Sequence, residues 1–90
     1  MIFDEAEKFV KKNKFEEEFE KLSGGKYSVL KFGGAVFFRG KKELVVAFNV
    51  SAYDIKHLTD DQRDDIKNIV QSLFPGISVA VRFNRTYADE

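Results

Sequence analysis

The sequence contains no cysteine and no tryptophan, and it has only one proline, one histidine and one methionine. The lack of cysteine excludes disulfide bonds, thiolate catalysis and cysteine-based zinc sites. Small secreted domains usually depend on disulfides, so we predict a cytoplasmic protein. The longest apolar run is Leu44–Phe48, whereas a transmembrane helix needs roughly 20 such residues. We therefore also predict no association with a membrane.

Neither sign of charge is in excess, because 15 basic residues balance 15 acidic ones. A neutral chain has no overall field that draws it to a polyanion, so nucleic-acid binding would require a local basic patch. The composition favours a folded domain, since 43% of the residues are hydrophobic and ten are phenylalanine. At 90 residues the chain predicts a single domain. We expect residues 1–84 to fold and residues 85–90 to begin a polar linker.

The apolar residues of the N-terminal segment recur at three- and four-residue spacing, which predicts helix. A lysine-rich stretch interrupts the pattern, so we expect two short helices, about 3–12 and 14–22, or one kinked helix. Asn13 and Glu16 have the spacing of a capping box. Gly24 is expected to end the segment, because glycine readily adopts the left-handed conformation of a helix cap.

Four strands are predicted after these helices. They are Tyr27–Phe32, Ala35–Arg39, Glu43–Val50 and Ile77–Phe83. Gly33-Gly34 can form the two-residue hairpin turn between the first and the second. A three-residue connection at 40–42 would set Phe38 opposite Leu44, so that the large apolar residues of this pair share one face.

The clearest helix begins at Thr59, which has the spacing of a capping box with Gln62, and it ends at Pro75-Gly76. The order is therefore one or two helices, three strands, a helix and a strand. We predict an α+β fold in which a three-stranded antiparallel meander and a final strand form a truncated KH-like sheet, with helices packed on it.

No combination of residues predicts catalysis, a cofactor or a metal site. His57 has Asp60 and Asp61 close behind it and Ser51 before it, but a catalytic triad is defined by geometry in space. The acidic cluster within Asp60–Asp65 lacks the spacing and the glycine of a calcium loop. It is typical of the charge that favours a helix N-terminus. We predict that the domain is not an enzyme and has no small-molecule substrate.

Basic residues gather near the predicted hairpin, with phenylalanines between them. The candidate nucleic-acid-binding residues are Lys31, Arg39, Lys41 and Lys42. Sheets that combine basic and aromatic residues bind single strands by stacking. The order of residues differs from an RNA-recognition motif, however, and the Gly-x-x-Gly loop of a KH domain is absent. The alternative is a hairpin whose charges protect its edges, which the neutral net charge favours.

A second candidate site is apolar. Its residues cannot share the face used by the other apolar residues of the hairpin if the expected register holds. The candidate partner-binding residues are Leu30, Phe32, Phe37 and Val45. They either lie beneath the N-terminal helices or form a patch that binds a partner protein.

Most of the chain carries a family resemblance. It extends from Arg39–Val50 through Leu58–Gln62 and the helix ending in Leu73-Phe74 to Ile77–Phe83. This pattern resembles the extreme N-terminal domain of the PolC-type DNA polymerase III alpha subunit of Gram-positive bacteria. In that family two short helices precede a hairpin, a helix that ends in an apolar–Phe pair, and a closing strand. The predicted strand Tyr27–Phe32 is longer than its counterpart in the family.

The resemblance implies a function that the residues alone do not indicate. It implies a non-catalytic domain that binds other replisome proteins, such as the clamp-loader tau subunit, during DNA replication. The parent chain would then be a DNA-directed DNA polymerase whose catalytic regions lie beyond Glu90. No site residue is carried over from the family. The alternative function is a KH-like or sheet-surface domain that binds single-stranded nucleic acid.

Overall fold

The computed structural model describes residues 2–86, which form a sheet, four α-helices and a 3-10 turn at Arg39–Lys41. The elements are α1 (Phe3–Lys11), α2 (Lys14–Ser23), β1 (Lys31–Phe38), β2 (Glu43–Ser51), α3 (Ala52–His57), α4 (Asp60–Leu73) and β3 (Ser78–Thr86). The predicted α+β class is confirmed. Within this part of the chain, no helix has the length and apolar character needed to cross a membrane.

The N-terminal segment forms two helices rather than one. Asn13 between them has a left-handed backbone with φ 59°, which turns the chain between α1 and α2. The expected capping box at Asn13 is wrong, because its side chain makes no hydrogen bond to the helix and a capping residue normally has an extended backbone. Gly24 ends α2 as expected, with φ 64° and its N–H donating to the carbonyl of Lys21.

The sheet has three strands instead of four, in the order β1-β2-β3. β1 is antiparallel to β2, but β3 is parallel to it, because α3 and α4 form the crossover that a parallel pair requires. The predicted strand at Tyr27 begins only at Lys31, and Gly33-Gly34 forms a β-bulge within β1 instead of a hairpin turn. β3 continues to Thr86, and the rest of the predicted linker, residues 87–90, lies outside the described residues.

The register between β1 and β2 differs by one residue from the expected one. Phe37, instead of Phe38, pairs with Leu44. The reason is the connection at 39–42, which is one residue longer than expected and ends in Lys42 with φ 53°. A shift of one residue moves every side chain of a strand to the opposite face. Phe37 therefore faces the core, and Phe38 faces away from it.

The core lies between one face of the sheet and helices α1, α2 and α4. Its largest fully buried side chains are Phe15, Phe48, Phe74, Leu44, Ile66, Val46, Val50 and Val70. Phe15 stands at the centre, and four phenylalanine rings lie within 6.0 Å of its own, centroid to centroid. This aromatic cluster accounts for much of the phenylalanine in the composition and joins α2 and the end of α4 to the sheet.

Candidate interaction surface

The face of the sheet opposite the core is left uncovered by α1, α2 and α4, and we call it the outer face. Because side chains alternate along a strand and paired residues share a face, the register identifies its members. They are Lys31, Gly34, Val36, Phe38, Glu43, Val45, Ala47, Asn49, Ser51, Ser78, Ala80, Arg82, Asn84 and Thr86.

The outer face is apolar at the β1 edge and polar at the β3 edge. At the edge, on β1, the side chains of Val36 and Phe38 are 55% and 46% exposed. Towards β3 the face becomes a shallow groove of about 450 Å³, floored by small residues such as Ala47 and bordered by Arg82 and Asn84. The surface thus offers apolar contacts at one side and hydrogen-bonding groups with positive charge at the other.

Two glycines shape this surface. A Cβ atom on Gly33 would lie 2.8 Å from Oδ1 of Asn49, so the close approach of β1 to β2 at the bulge requires a residue without a side chain or a displaced Asn49. Gly34 has φ 123°, a backbone conformation that other residues rarely adopt. The bulge resets the alternation of β1 and leaves Lys31 on the outer face.

The four residues predicted to bind a partner do not form one patch. Leu30 is only 8% exposed. Phe32 and Phe37 pack against the core, where their rings lie 5.1 Å from Phe15 and 5.9 Å from Phe3. Only Val45 lies on the outer face. The four therefore do not share one face, because the observed register differs from the expected one. Of the two alternatives, burial beneath the N-terminal helices applies to Phe32 and Phe37.

The residues predicted to bind nucleic acid are divided between the two ends of β1. Lys31 lies on the outer face at one end, and Arg39, Lys41 and Lys42 follow the other end. The guanidinium of Arg39 is engaged on the helical side: it forms ion pairs with Asp4 and Glu7 of α1. It also lies 5.9 Å from the ring centroid of Phe3. These contacts remove Arg39 from any basic patch on the sheet.

Arg82 is a residue of this surface that our sequence analysis missed. It pairs with Ala47 on the outer face, it is exposed, and it forms no ion pair within residues 2–86. The alternation of apolar and polar residues along Ile77–Phe83 was sufficient to find it, because this pattern places Arg82 on the polar side of that strand.

The residues considered for catalysis have structural partners instead. The Nδ1 atom of His57 lies 2.8 Å from the carbonyl oxygen of Tyr53, and the two rings stack. Ser51 begins α3, where its hydroxyl accepts the N–H of Asp54 at 3.2 Å. Over residues 2–86, no hydrogen bond joins His57 to Ser51, and no group of three or more acidic or histidine side chains could hold a metal ion.

Asp65 belongs to a structural contact between the turn after α2 and helix α4. The hydroxyl of Tyr27 donates a hydrogen bond to its carboxylate at 2.5 Å, and the ammonium of Lys26 lies 3.5 Å away. The bond to Asp65, together with burial, raises the pKa of Tyr27 to about 12. The same bond, followed by the charge of Lys26, holds the pKa of Asp65 below its usual value.

Comparison of the chain with protein-family models, with curated proteins and with solved structures finds no match.

Proposed function

We propose that this domain is a non-catalytic protein–protein interaction module of a PolC-type DNA polymerase III alpha subunit, and that it binds other replisome proteins. The observation that carries the proposal is the pair of exposed apolar side chains, Val36 and Phe38, on an uncovered sheet face. Exposed apolar surface of this kind is typical of interaction sites. Full burial of such a side chain contributes roughly 1.5–3 kcal/mol.

The order of elements supports the family part of the proposal. The resemblance leads us to expect two helices, a hairpin, a helix ending in an apolar–Phe pair, and a closing strand. The chain has α1 and α2, the β1–β2 hairpin, α4 followed by Phe74, and β3, with the short helix α3 in addition. The strand predicted at Tyr27–Phe32 is longer than its counterpart in the family; in the structure residues 27–29 form turns, and only Lys31 and Phe32 of that stretch belong to β1.

The test is direct binding of the purified domain to a purified clamp-loader tau subunit from a Gram-positive bacterium, measured by calorimetry. We expect Phe38→Asp to weaken binding by at least about tenfold, which corresponds to 1.4 kcal/mol. Leu22→Asp is the matched control, because Leu22 is also an exposed apolar residue but lies on α2. The proposal fails if neither tau nor another replisome protein binds, or if both substitutions weaken binding equally.

A second candidate function is binding of single-stranded nucleic acid on the outer face. It is favoured by Lys31 and Arg82, which share this face with Asn49 and Asn84 and have no acidic partner within residues 2–86. Stacking would contribute little, because Phe38 at the edge is the one aromatic residue of the outer face within residues 2–86.

An NMR titration of the labelled domain with an oligothymidylate at low salt separates the two functions. Nucleic-acid binding predicts shifts of the Lys31 and Arg82 amides. It also predicts that Arg82→Ala reduces the slope of log affinity against log salt concentration by about one, because one phosphate contact is lost. Unchanged amides over Lys31–Lys42 and at Arg82 would end this candidate.

A further inference from the structure

The two edges of the sheet differ in how they are protected. The edge strand β3 carries the exposed side chains of Arg82 and Arg85, and charges of this kind prevent pairing with other chains. In β1, the stretch Phe32–Phe38 contains no charged residue and no proline. Its charged neighbours, Lys31 and Arg39, stand only at the ends.

The backbone of this edge is free over residues 2–86. All pairing of β1 is with β2, and no other segment of the described chain forms a backbone hydrogen bond with Phe32–Phe38. A row of unpaired N–H and C=O groups is a template for another strand. The bulge interrupts the regular ladder at Gly33-Gly34, so Ala35–Phe38 is the part best suited to pairing.

A groove lies beside the same edge, between β1 and α1. It has a volume of about 290 Å³ and is lined by Glu7, Val10, Lys11, Ala35 and Phe37. Because side chains alternate along a strand, half of those on an added strand would enter this groove next to Val10 and Phe37. The other half would pack beside Val36 and Phe38 on the outer face. The edge therefore offers apolar contacts on both sides of an added strand.

Charge indicates which strand would fit. Lysines without an ion-pair partner in residues 2–86 flank the edge, with Lys31 at one end and Lys41 and Lys42 beyond the other, where Arg39 is already paired with Asp4 and Glu7. A second copy of β1 in antiparallel pairing would bring these basic ends together, and like charges placed opposite each other disfavour pairing. A segment with acidic residues on both flanks would meet opposite charges at both ends.

We propose that the free edge of β1 binds an extended segment of a partner protein as a fourth strand, and that this segment is apolar with acidic residues on both flanks. The inference rests on the proposed function, since it names the kind of segment that the partner supplies. Backbone pairing provides affinity in this mode of recognition, and the flanking charges provide selectivity.

The test uses the whole chain, labelled with nitrogen-15, and synthetic peptides. The probe is a short peptide of alternating valine and threonine with paired glutamates at each end. One control peptide carries lysines in place of the glutamates, and another is N-methylated throughout its apolar stretch, which removes its backbone donors.

We expect the probe to shift the amides of Ala35–Phe38 and to slow their hydrogen exchange. We expect the lysine peptide to bind at least about tenfold more weakly, and the N-methylated peptide not to bind.

A pair of variants tests the role of charge. Lys31→Glu should weaken binding of the probe by about threefold and strengthen binding of the lysine peptide, as expected for an exposed ion pair. Lys67→Glu makes the same change of net charge at an exposed position of α4 and should leave both affinities unchanged. Equal effects of the two variants, or binding of the N-methylated peptide at β1, would overturn the proposal.

The outcomes also separate this inference from the proposed function. If tau binds the domain while the probe leaves the β1 amides unshifted at millimolar concentration, the edge inference fails and the interaction module stands. If the probe docks on β1 and no replisome protein binds the domain, the edge inference stands and the assignment to the replisome fails.

Discussion

The ring of Phe15 in α2 stacks on the ring of Phe74 at the end of α4, with centroids 5.7 Å apart and planes inclined by 21°. Both side chains are completely buried. The contact connects the N-terminal helices to the helix that leads into β3, so a single cluster stabilises the whole helical layer.

Truncation of Phe15 should therefore be severe. Phe15→Ala removes a fully buried ring and leaves a cavity, and such substitutions lower the free energy of unfolding by about 3–5 kcal/mol. Chemical denaturation followed by circular dichroism measures the loss. Leu22→Ala on the same helix is the control, because Leu22 is 55% exposed, and it should change the stability by less than about 0.5 kcal/mol. Similar losses in both variants would contradict the central position of Phe15.

The bond between Tyr27 and Asp65 makes stability depend on pH at both extremes. The pKa of Asp65 is lowered in the fold, so its contribution is present above the unfolded value and is lost as the pH falls through the folded one. The pKa of Tyr27 is raised from 10.0 to about 12. Its contribution is therefore complete below about pH 10 and is lost as the pH rises towards 12.

Tyr27→Phe tests this dependence. We expect the variant to be less stable at neutral pH, and the difference from the wild type to shrink between about pH 10 and 12. Urea unfolding across this range gives the comparison. Tyr53→Phe is the control, because the exposed hydroxyl of Tyr53 forms no hydrogen bond within residues 2–86. This variant should lose stability at alkaline pH as the wild type does. Parallel curves for the wild type and Tyr27→Phe would refute the assigned role of the bond.

The capping box of α4 gives a prediction with a built-in comparison. The hydroxyl of Thr59 accepts the N–H of Gln62 at 3.1 Å, and the side chain of Gln62 accepts the N–H of Thr59 at 2.9 Å. Thr59→Ala should cost about 1 kcal/mol of unfolding free energy, whereas Thr59→Gly should cost only a few tenths. Thermal or urea unfolding measures the stabilities of the two variants. A glycine variant less stable than the alanine variant would contradict the prediction.

The two glycines of the bulge should respond differently to alanine. At Gly34 the backbone itself is unfavourable for alanine, with φ 123°, so Gly34→Ala should cost about 1–3 kcal/mol of stability. At Gly33 the obstacle is the flexible end of Asn49, so Gly33→Ala should cost less. In an Asn49→Ala background the cost of Gly33→Ala should disappear, whereas that of Gly34→Ala should persist. A cost at Gly33 that survives the removal of Asn49 would show a backbone constraint there instead.

Helices α1, α2 and α4 were predictable because their signals are local. The apolar spacing and the capping pair Thr59 and Gln62 define α4 within its own residues. The short helix α3 was missed although Ser51 and Asp54 have the spacing of a capping signal. The bond between Tyr27 and Asp65 joins residues 38 positions apart, and no local pattern indicates it.

The register of the hairpin could not be derived in the same way. It depends on Lys42, which has a left-handed backbone that a lysine does not favour, and on a bulge at Gly33-Gly34 that resembles a turn in the sequence. The outer face follows from this register, so Val36 and Phe38 could be recognised as exposed only once the pairing was known.

The central position of β2 also has a consequence for synthesis of the chain. β1 can pair with β2 as soon as both have left the ribosome, but β3 pairs with β2 across the entire α3–α4 crossover, with Glu43 beside Ser78. Contacts between distant residues form late, and chains emerge from the N-terminus. In a nascent chain that ends before Ser78, one edge of the apolar strand β2 is therefore unpaired. Synthesis of β3 provides the strand that pairs with this edge.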